Sequence, residues 1–311
     1  MVRELRIAVP HAAGVAAVTG RDAAAVGPYS RTMARSCTWT WGLLAAVAAM
    51  VGCGDDGGDP PASCLPGCPG GRGYDAASYD LRARVDLAAG TITASEDIAL
   101  VAVTAPVVEL DAEVAIVDVH AGDQALAFAV DEATHTVRVD LTPILADGAA
   151  RFTVDYVAAP SDALRTAGPR DDDPVAARVM FTDSEPDRGR RWLVANHDPA
   201  DRATFAVELT LAPDHDAVSN GARGADRVTA DGRVVAYALA QPIPTYLMAF
   251  AAGELEHVER GGGRVPLALW FRRGLALDPD DNLDVVASAM ATFEALLGQD
   301  RAGPGPERVV A

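Results

Sequence analysis

The sequence predicts an all-β protein: an antiparallel β-sandwich followed by one C-terminal α-helix. Three observations support this fold class. Apolar residues alternate with polar residues in many short runs, as half-buried strands require. Turn sequences such as Asn220-Gly221 and Asp231-Gly232 separate these runs at short intervals. A helical pattern appears only after the last of the runs, so the helix is expected to follow the sheets rather than alternate with their strands.

Composition limits the classes of function. The 311 residues are 50% hydrophobic, which is enough to build a packed core. The formal net charge is −18, whereas sequence-independent binding of nucleic acid needs clustered basic side chains that displace counterions. We therefore expect an acidic, solvated surface and no nucleic-acid partner.

The first 53 residues carry a targeting pattern. In "MARSCTWTWGLLAAVAAMVGC", residues 33–53, Arg35 precedes an apolar run from Gly42 to Val51, and small Gly52 precedes Cys53. This segment resembles a bacterial lipoprotein signal. It predicts lipidation of Cys53 and a protein anchored in the bacterial cell envelope, with translation starting at Met33 and residues 1–32 outside the protein. An ordinary secretory signal or a buried helix is the alternative.

Residues 54–73, rich in Gly, Pro and Asp, cannot form a core and are expected to be a flexible tether from the membrane. Cys64 and Cys68 within it could form a disulfide in an oxidising compartment or remain unpaired. Two cysteines without a nearby His or a second cysteine pair cannot complete a tetrahedral zinc site.

The β-sandwich is expected over residues 74–274. In "YDLRARVDL", residues 79–87, Tyr79 and Leu81 belong to one face and Asp80 and Arg82 to the other. The further runs that predict strands are 98–103, 114–119, 125–130, 136–141, 151–157, 205–211, 234–239, 246–251 and 266–271. No helical pattern interrupts them, which favours antiparallel sheets packed face to face.

The helix is expected within residues 275–298. Asp278 can cap it, Pro279 suits its first turn, and Gly298 can end it. An apolar stripe runs along one side: Leu283, Val286, Met290, Phe293 and Leu297. Residues 299–311 show neither helical nor strand periodicity, and we expect them to be a truncated tail. Because the stripe needs a surface to cover it, the chain is predicted to lack a following domain.

Three ordered motifs suggest a family. They are "FTDSEPDRGRRWLVANHDPADRATF" at 181–205, "AVSNG" at 217–221 and "PIPTYLMAFAAGELE" at 242–256. Together they resemble the N-terminal domain of the aminopeptidase N / leukotriene hydrolase family of zinc metallopeptidases, over about residues 74–298. The turn acid of the family motif is displaced by one residue here, onto Asp198.

The resemblance implies roles for residues of the first motif. Glu185 matches the family's acid or amide that helps to hold the free α-amine of a peptide substrate. Arg190, Trp192 and Asp198 would support the loop, with Trp192 in the core. Without the resemblance, Glu185 would be interpreted as a solvated loop acid. His197 beside Asp198 could be an oriented base, but no Ser or Cys nucleophile motif accompanies it, and a turn packed on the surface fits better.

The family's catalytic motifs are missing. The sequence contains neither G-x-M-E-N nor H-E-x-x-H, and no two of its six histidines are four residues apart. We therefore expect no catalytic residue, no metal ligand and no cofactor in this chain, and no activity from it alone. The resemblance implies that the family's full-length enzymes remove N-terminal residues from peptides by zinc-assisted hydrolysis, and peptide substrates would engage through the missing domain. The alternative is a complete, non-catalytic lipoprotein whose β-sandwich is a binding module.

Overall fold

The chain is described by a computed structural model that covers residues 72–169, 176–261, 265–297 and 309–310. Within these residues the structure confirms the predicted all-β fold with a C-terminal helix. The strands are β1 (Asp75–Asp86), β2 (Thr91–Val101), β3 (Val107–Asp111), β4 (Ala115–Ala121), β5 (Gln124–Ala125), β6 (Phe128–Asp131), β7 (Thr136–Asp140), β8 (Ala150–Ala158), β9 (Leu164–Ala167), β10 (Val179–Thr182), β11 (Ala203–Leu211), β12 (Asp216–Ser219), β13 (Ala222–Arg223), β14 (Arg227–Thr229), β15 (Gly232–Ile243), β16 (Phe250–Gly253), β17 (Leu255–Arg260), β18 (Leu267–Arg272) and β19 (Val309–Val310). The α-helix is α1 (Pro279–Leu297), and short 3-10 turns span Arg188–Arg191 and Thr245–Leu247.

The largest sheet has the strand order β13-β15-β11-β1-β2-β8-β4-β5, with β14 also paired to β15. Its pairs are antiparallel except for β1 and β11, which run parallel from Ser78 opposite Thr204 to Arg84 opposite Thr210. This pair departs from the antiparallel expectation. Alternation of apolar residues fixes which face of a strand is buried, but it carries no information about strand direction.

Three smaller sheets complete the fold. Their strand orders are β12-β16-β10-β9, β3-β7-β6 and β17-β18-β19, and β19 runs parallel to β18. Side chains of the large sheet, such as Tyr79 and Phe205, share one buried cluster with Leu110 of β3 and Phe250 of β16. The core of the sandwich therefore lies between the large sheet and the first two of the smaller ones.

Helix α1 packs through its N-terminal half. The Asp278 side chain accepts hydrogen bonds from the backbone N–H groups of Asp280 (2.9 Å) and Asp281 (3.4 Å), as an N-cap residue does. Leu283 is 1% exposed and contacts a small apolar cluster with Leu267 and Leu269 of β18. Further along the predicted apolar stripe, Met290 is half-buried and Phe293 is 52% exposed. Leu296, which lies outside the stripe, is 74% exposed.

Several expectations concern residues outside the described ranges. They are the extension 1–32, the signal segment with Cys53, the tether up to residue 71, Gly298, and the tail 299–311 apart from the backbone of β19. The described part of the chain contains no helix that is both long enough and apolar enough to cross a lipid bilayer.

Candidate functional site

The first sequence motif forms a loop that we call the arginine segment, residues 183–199, which makes up most of the connection between β10 and β11. Glu185 lies at its exposed end, in a cis peptide bond with Pro186. The Glu185 carbonyl oxygen accepts a hydrogen bond from Arg188 Nε (2.8 Å). Within the described residues, no hydrogen bond or ion pair engages the Glu185 carboxylate, so this charged group faces solvent.

The residue before Glu185 is buried and fixed. The Ser184 side chain is 5% exposed, donates to the Met248 carbonyl oxygen (3.2 Å) and accepts from Trp192 Nε1 (2.9 Å). These two bonds join the beginning and the middle of the arginine segment to the turn before β16. Glu185 is therefore displayed from a backbone that is anchored immediately beside it.

The arginines of the segment are paired with acids. Arg188 binds Asp183 (2.5 Å) and Arg190 binds Asp187 (3.1 Å). Arg191 binds Glu113 (2.9 Å) and also Asp162, which ties the segment to residues before β4 and β9. Of the three acids within residues 183–187, Asp183 and Asp187 are bound by arginines, and in the described structure Glu185 is not. Exposed pairs of this kind contribute little stability, about 0 to 1 kcal/mol each, but they constrain the shape of the loop.

Trp192 lies fully inside the core, with 0% of its surface exposed. Its ring meets Phe250 edge-on at 5.5 Å between centroids and Phe205 at 6.5 Å. Edge-to-face packing of aromatic rings is favourable beyond the area it buries. The middle of the arginine segment is thus fixed to both layers of the sandwich, because Phe205 belongs to β11 and Phe250 to β16.

His197 and Asp198 do not form the oriented pair that their adjacency suggests. His197 Nδ1 lies 2.9 Å from Thr245 Oγ1, and Nε2 lies 3.3 Å from the Leu193 carbonyl oxygen. Burial lowers the pKa of His197 to about 4, so the ring is neutral at pH 7. The Asp198 carboxylate instead accepts from the backbone N–H of Ala200 (2.9 Å) and closes the turn.

Buried polar residues far away in sequence also hold the segment, and none of the sequence motifs pointed to them. Tyr79 Oη accepts from the Asn196 N–H group (2.9 Å), and Asp111 accepts from the His197 N–H group (3.0 Å). Glu96 accepts from the Val194 N–H group (3.1 Å). Of these residues, Glu96 leaves a signal in the sequence: it takes an inward position in a strand that otherwise buries apolar residues.

The residues that the structure describes do not fit a zinc site. No group of three or more His, Cys, Asp or Glu side chains in the described structure could hold a metal ion. The whole sequence has no histidine pair at the spacing that lets a helix present two imidazoles to one metal. No chemical step through a metal is therefore assigned to this chain.

The geometry defines a class of protein: a β-sandwich domain that displays the carboxylate of Glu185 from a loop braced by ion pairs and by a buried tryptophan. The sequence matches the family model of the peptidase M1 N-terminal domain over residues 75–247. The chain belongs to this family, which confirms the resemblance to zinc aminopeptidases noted in the sequence.

Individual relatives agree with this assignment. The chain is 32% identical over 101 residues to aminopeptidase N of Acetobacter pasteurianus and 28% identical over 120 residues to mitochondrial aminopeptidase 2 of Saccharomyces cerevisiae. These stretches cover 32% and 39% of this chain but only 28% and 13% of those proteins. The chain thus corresponds to a minor part of either enzyme.

Solved structures show the same fold at low identity. The M1 zinc metallopeptidase of Deinococcus radiodurans, in a variant bound to a Tyr-Ser-Ala substrate, is 19% identical, with a TM-score of 0.61 over 77% of this chain and 56% of that one. A two-domain M1 zinc metallopeptidase bound to L-tryptophan is 20% identical, with a TM-score of 0.61 over 78% of this chain and 57% of that one. The chain therefore spans a little over half the length of either structure.

Proposed function

We propose that this chain is the part of a zinc aminopeptidase that recognises the free amino terminus of a peptide, and that Glu185 makes this contact. The single observation that carries the proposal is the unpaired Glu185 carboxylate on a braced loop. An ammonium group beside a carboxylate gains a charge-assisted hydrogen bond, and the gain grows when a neighbouring domain excludes water. A blocked amino terminus has no positive charge and would lose this contact.

The pairing of the surrounding charges supports this assignment. Asp183 and Asp187 flank Glu185, but each is bound by an arginine of the same segment, Arg188 and Arg190 respectively. An incoming ammonium would compete with an arginine that already neutralises either of these acids. Glu185 presents the available charge, and the arginines would shape the loop instead of contacting the substrate.

The hydrolytic chemistry is proposed to come from a zinc domain that is not contained in these 311 residues. Three observations support this division: the family membership, the absence of H-E-x-x-H from the sequence, and the exposure of Phe293 and Leu296 on α1. We also propose attachment to the bacterial cell envelope through a lipid on Cys53, on the evidence of the sequence pattern alone. The protein's role would then be to trim peptides at the membrane surface.

The test uses the chain joined to the zinc domain of an M1 relative. Glu185→Ala is expected to lower kcat/KM for unblocked aminoacyl substrates roughly 10- to 100-fold, which corresponds to about 1.5–3 kcal/mol of transition-state stabilisation. Glu185→Gln should keep part of the activity, because an amide oxygen still accepts a hydrogen bond. The midpoint of thermal unfolding should not change, since the side chain is exposed.

Two controls make the result interpretable. Glu132→Ala removes another exposed acid, outside the arginine segment, and should leave kcat/KM unchanged. The unjoined chain should bind no stoichiometric zinc and cleave no reporter substrate. If Glu185→Ala cleaved unblocked substrates as well as the parent does, the amine-recognition role would be wrong, and a non-catalytic binding role for the sandwich would be favoured.

A further inference from the structure

A glutamate lies in the middle of the core. Glu96 occupies the inward face of β2 between Ala94 and Ile98, and 0% of its surface is exposed. An ionised carboxylate at such a place costs several kcal/mol unless both oxygens are satisfied or a positive charge is close. The contacts of Glu96 decide whether either condition holds.

Only one of its oxygens has partners. Glu96 Oε2 lies 2.9 Å from Tyr156 Oη and 3.1 Å from the Val194 backbone nitrogen. The other oxygen, Oε1, is buried without a hydrogen-bond partner in the described structure. Neither contact carries a positive charge. A carboxylate here would leave half of its charge on an oxygen that nothing stabilises.

The protons of this cluster can be counted. Tyr156 Oη is within hydrogen-bond distance of two oxygens, Glu96 Oε2 and the Trp192 carbonyl oxygen at 3.0 Å, but a hydroxyl has one proton to donate. With ionised Glu96, one of the two contacts lacks a proton. With neutral Glu96, Oε2–H donates to Tyr156 Oη, and the Tyr156 proton goes to the Trp192 carbonyl oxygen. The Val194 N–H group can still donate to the second lone pair of Oε2.

We propose that Glu96 is kept as a neutral carboxylic acid, and that its proton completes a hydrogen-bond chain through Tyr156 to the Trp192 carbonyl oxygen that positions the arginine segment. The chain runs from β2 through β8 to the segment, and the Val194 N–H group closes it back onto Glu96. Glu96 is in this sense a positioning residue. It does not touch the surface where Glu185 lies, and its action does not depend on what Glu185 binds.

The electrostatic surroundings favour the neutral acid. Desolvation, together with the like charges of Asp80 and Asp97, raises the pKa of Glu96 to about 8. Tyr156 of β8 and Tyr79 of β1 also face it, and burial raises the pKa of each well above 10, so both hydroxyls stay protonated. From the arginine segment the group that reaches Glu96 is the Val194 N–H. Asp80 and Asp97 are themselves paired with arginines, Arg151 and Arg82 respectively, so burial is the main cause of the raised pKa of Glu96.

The direct test is infrared spectroscopy of the purified chain at pH 7. The wild type should show the C=O stretch of a carboxylic acid, and Glu96→Gln should lack it. Tyr156→Phe should keep the band but shift it, because the acid loses its acceptor. Asp201→Asn is the matched control: burial raises the pKa of Asp201 to about 6, so at pH 7 this acid is mostly ionised and its removal should change little.

A second measurement separates positioning from mere burial. The amide introduced by Glu96→Gln cannot both donate to Tyr156 and accept from Val194 with the same atom, so in this variant the amide-exchange protection of Val194 should fall about tenfold or more. Glu132→Gln, an exposed control, should leave it unchanged. Unaltered Val194 protection in a folded Glu96→Gln protein contradicts the positioning role.

Stability should also depend on pH in a way that identifies Glu96. The pKa of Glu96 in the folded protein lies above the ordinary value of 4.5. Its contribution to the free energy of unfolding is therefore complete below about pH 4.5 and is lost as the pH rises through about 8. Titration of Asp201 changes the free energy of unfolding mainly below pH 6. Titration of His197, whose pKa is lowered, changes it below pH 6.5. Between pH 6.5 and 8 the unfolding constant should rise by up to about tenfold per pH unit, and Glu96→Gln should remove this slope.

These outcomes decide the proposal even if one variant fails to fold. A wild-type spectrum at pH 7 without a carboxylic-acid band would show that Glu96 is ionised and would overturn the proposal. A band whose position is the same in wild type and Tyr156→Phe would show that the acid does not donate to Tyr156, and the hydrogen-bond chain would be wrong.

Discussion

At the scale of single residues, the turn that ends the arginine segment depends on one glycine. A Cβ atom on Gly189 would lie 2.5 Å from His197 Cε1 and 2.9 Å from His197 Nδ1. The His197 ring is itself held between Thr245 and the Leu193 carbonyl oxygen, so it has little freedom to move aside. The sequence shows this histidine in an H-D-P turn, but only the fold shows that its ring packs against a glycine eight residues earlier.

We expect Gly189→Ala to destabilise the protein by about 1–3 kcal/mol, the usual cost of overpacking. Gly261→Ala is the matched control, because a Cβ atom there meets nothing within 4 Å. Denaturant unfolding of a double-mutant cycle tests the cause. In a His197→Ala background the cost of Gly189→Ala should largely disappear, and an unchanged cost there would assign the strain to the backbone instead of the ring.

Much of the candidate site could be inferred from local sequence, but its supports could not. The arginine-acid pairing and the core position of Trp192 agree with the chemistry of the residues themselves. The supports Glu96, Tyr156 and Asp111 come from β2, β8 and β3, and Glu96 is 98 residues away from its partner Val194. No local pattern links residues at that distance, so these contacts require the folded structure.

At the scale of elements, polar residues within a strand kept the sequence pattern from predicting the whole of that strand. Strand β2 begins at Thr91, seven residues before the run predicted from Ile98, because Ser95, Glu96 and Asp97 interrupt the apolar pattern. The alternation nevertheless continues through Ile92 and Ala94. The run 246–251 was expected to be one strand, but its first residues form a 3-10 turn and only Phe250 and its successors join β16.

The two halves of α1 should respond differently to mutation. Leu283→Ala removes a side chain packed between helix and β18, so we expect a loss of about 2–5 kcal/mol. Leu296→Ala removes a side chain that is 74% exposed, and the change in the free energy of unfolding should stay within about 0.5 kcal/mol. Chemical denaturation of both variants measures the difference. An equal loss for Leu296→Ala would mean that other parts of this chain cover the second half of the helix in solution.

At the scale of the whole molecule, the alternation of apolar and polar residues predicted the fold better than sequence identity to known structures would have. The chain shares its fold with M1 zinc metallopeptidases over about three quarters of its length at only 19–20% identity. Alternation, turns and a few buried aromatics such as Trp192 survive such divergence, because many apolar side chains can fill the same core if its volume is kept. The parallel pairing of β1 and β11 was not predictable on this basis, since more than one hundred residues separate the two strands.

The proposed attachment of the protein to a membrane rests only on the sequence pattern that ends at Cys53. A single fatty chain gives only marginal membrane binding, whereas the several chains of a bacterial lipoprotein would anchor even this strongly acidic protein, whose formal net charge is −18. Expressed in a bacterium with lipoprotein processing, the chain should fractionate with membranes and lose the residues before Cys53. Cys53→Ser should keep the uncleaved segment or be released in soluble form, and mass spectrometry would detect the missing lipid. Recovery of Cys53→Ser in the membrane fraction with the mass expected from its sequence change alone would exclude lipidation and favour an ordinary secretory signal or a buried helix for this segment.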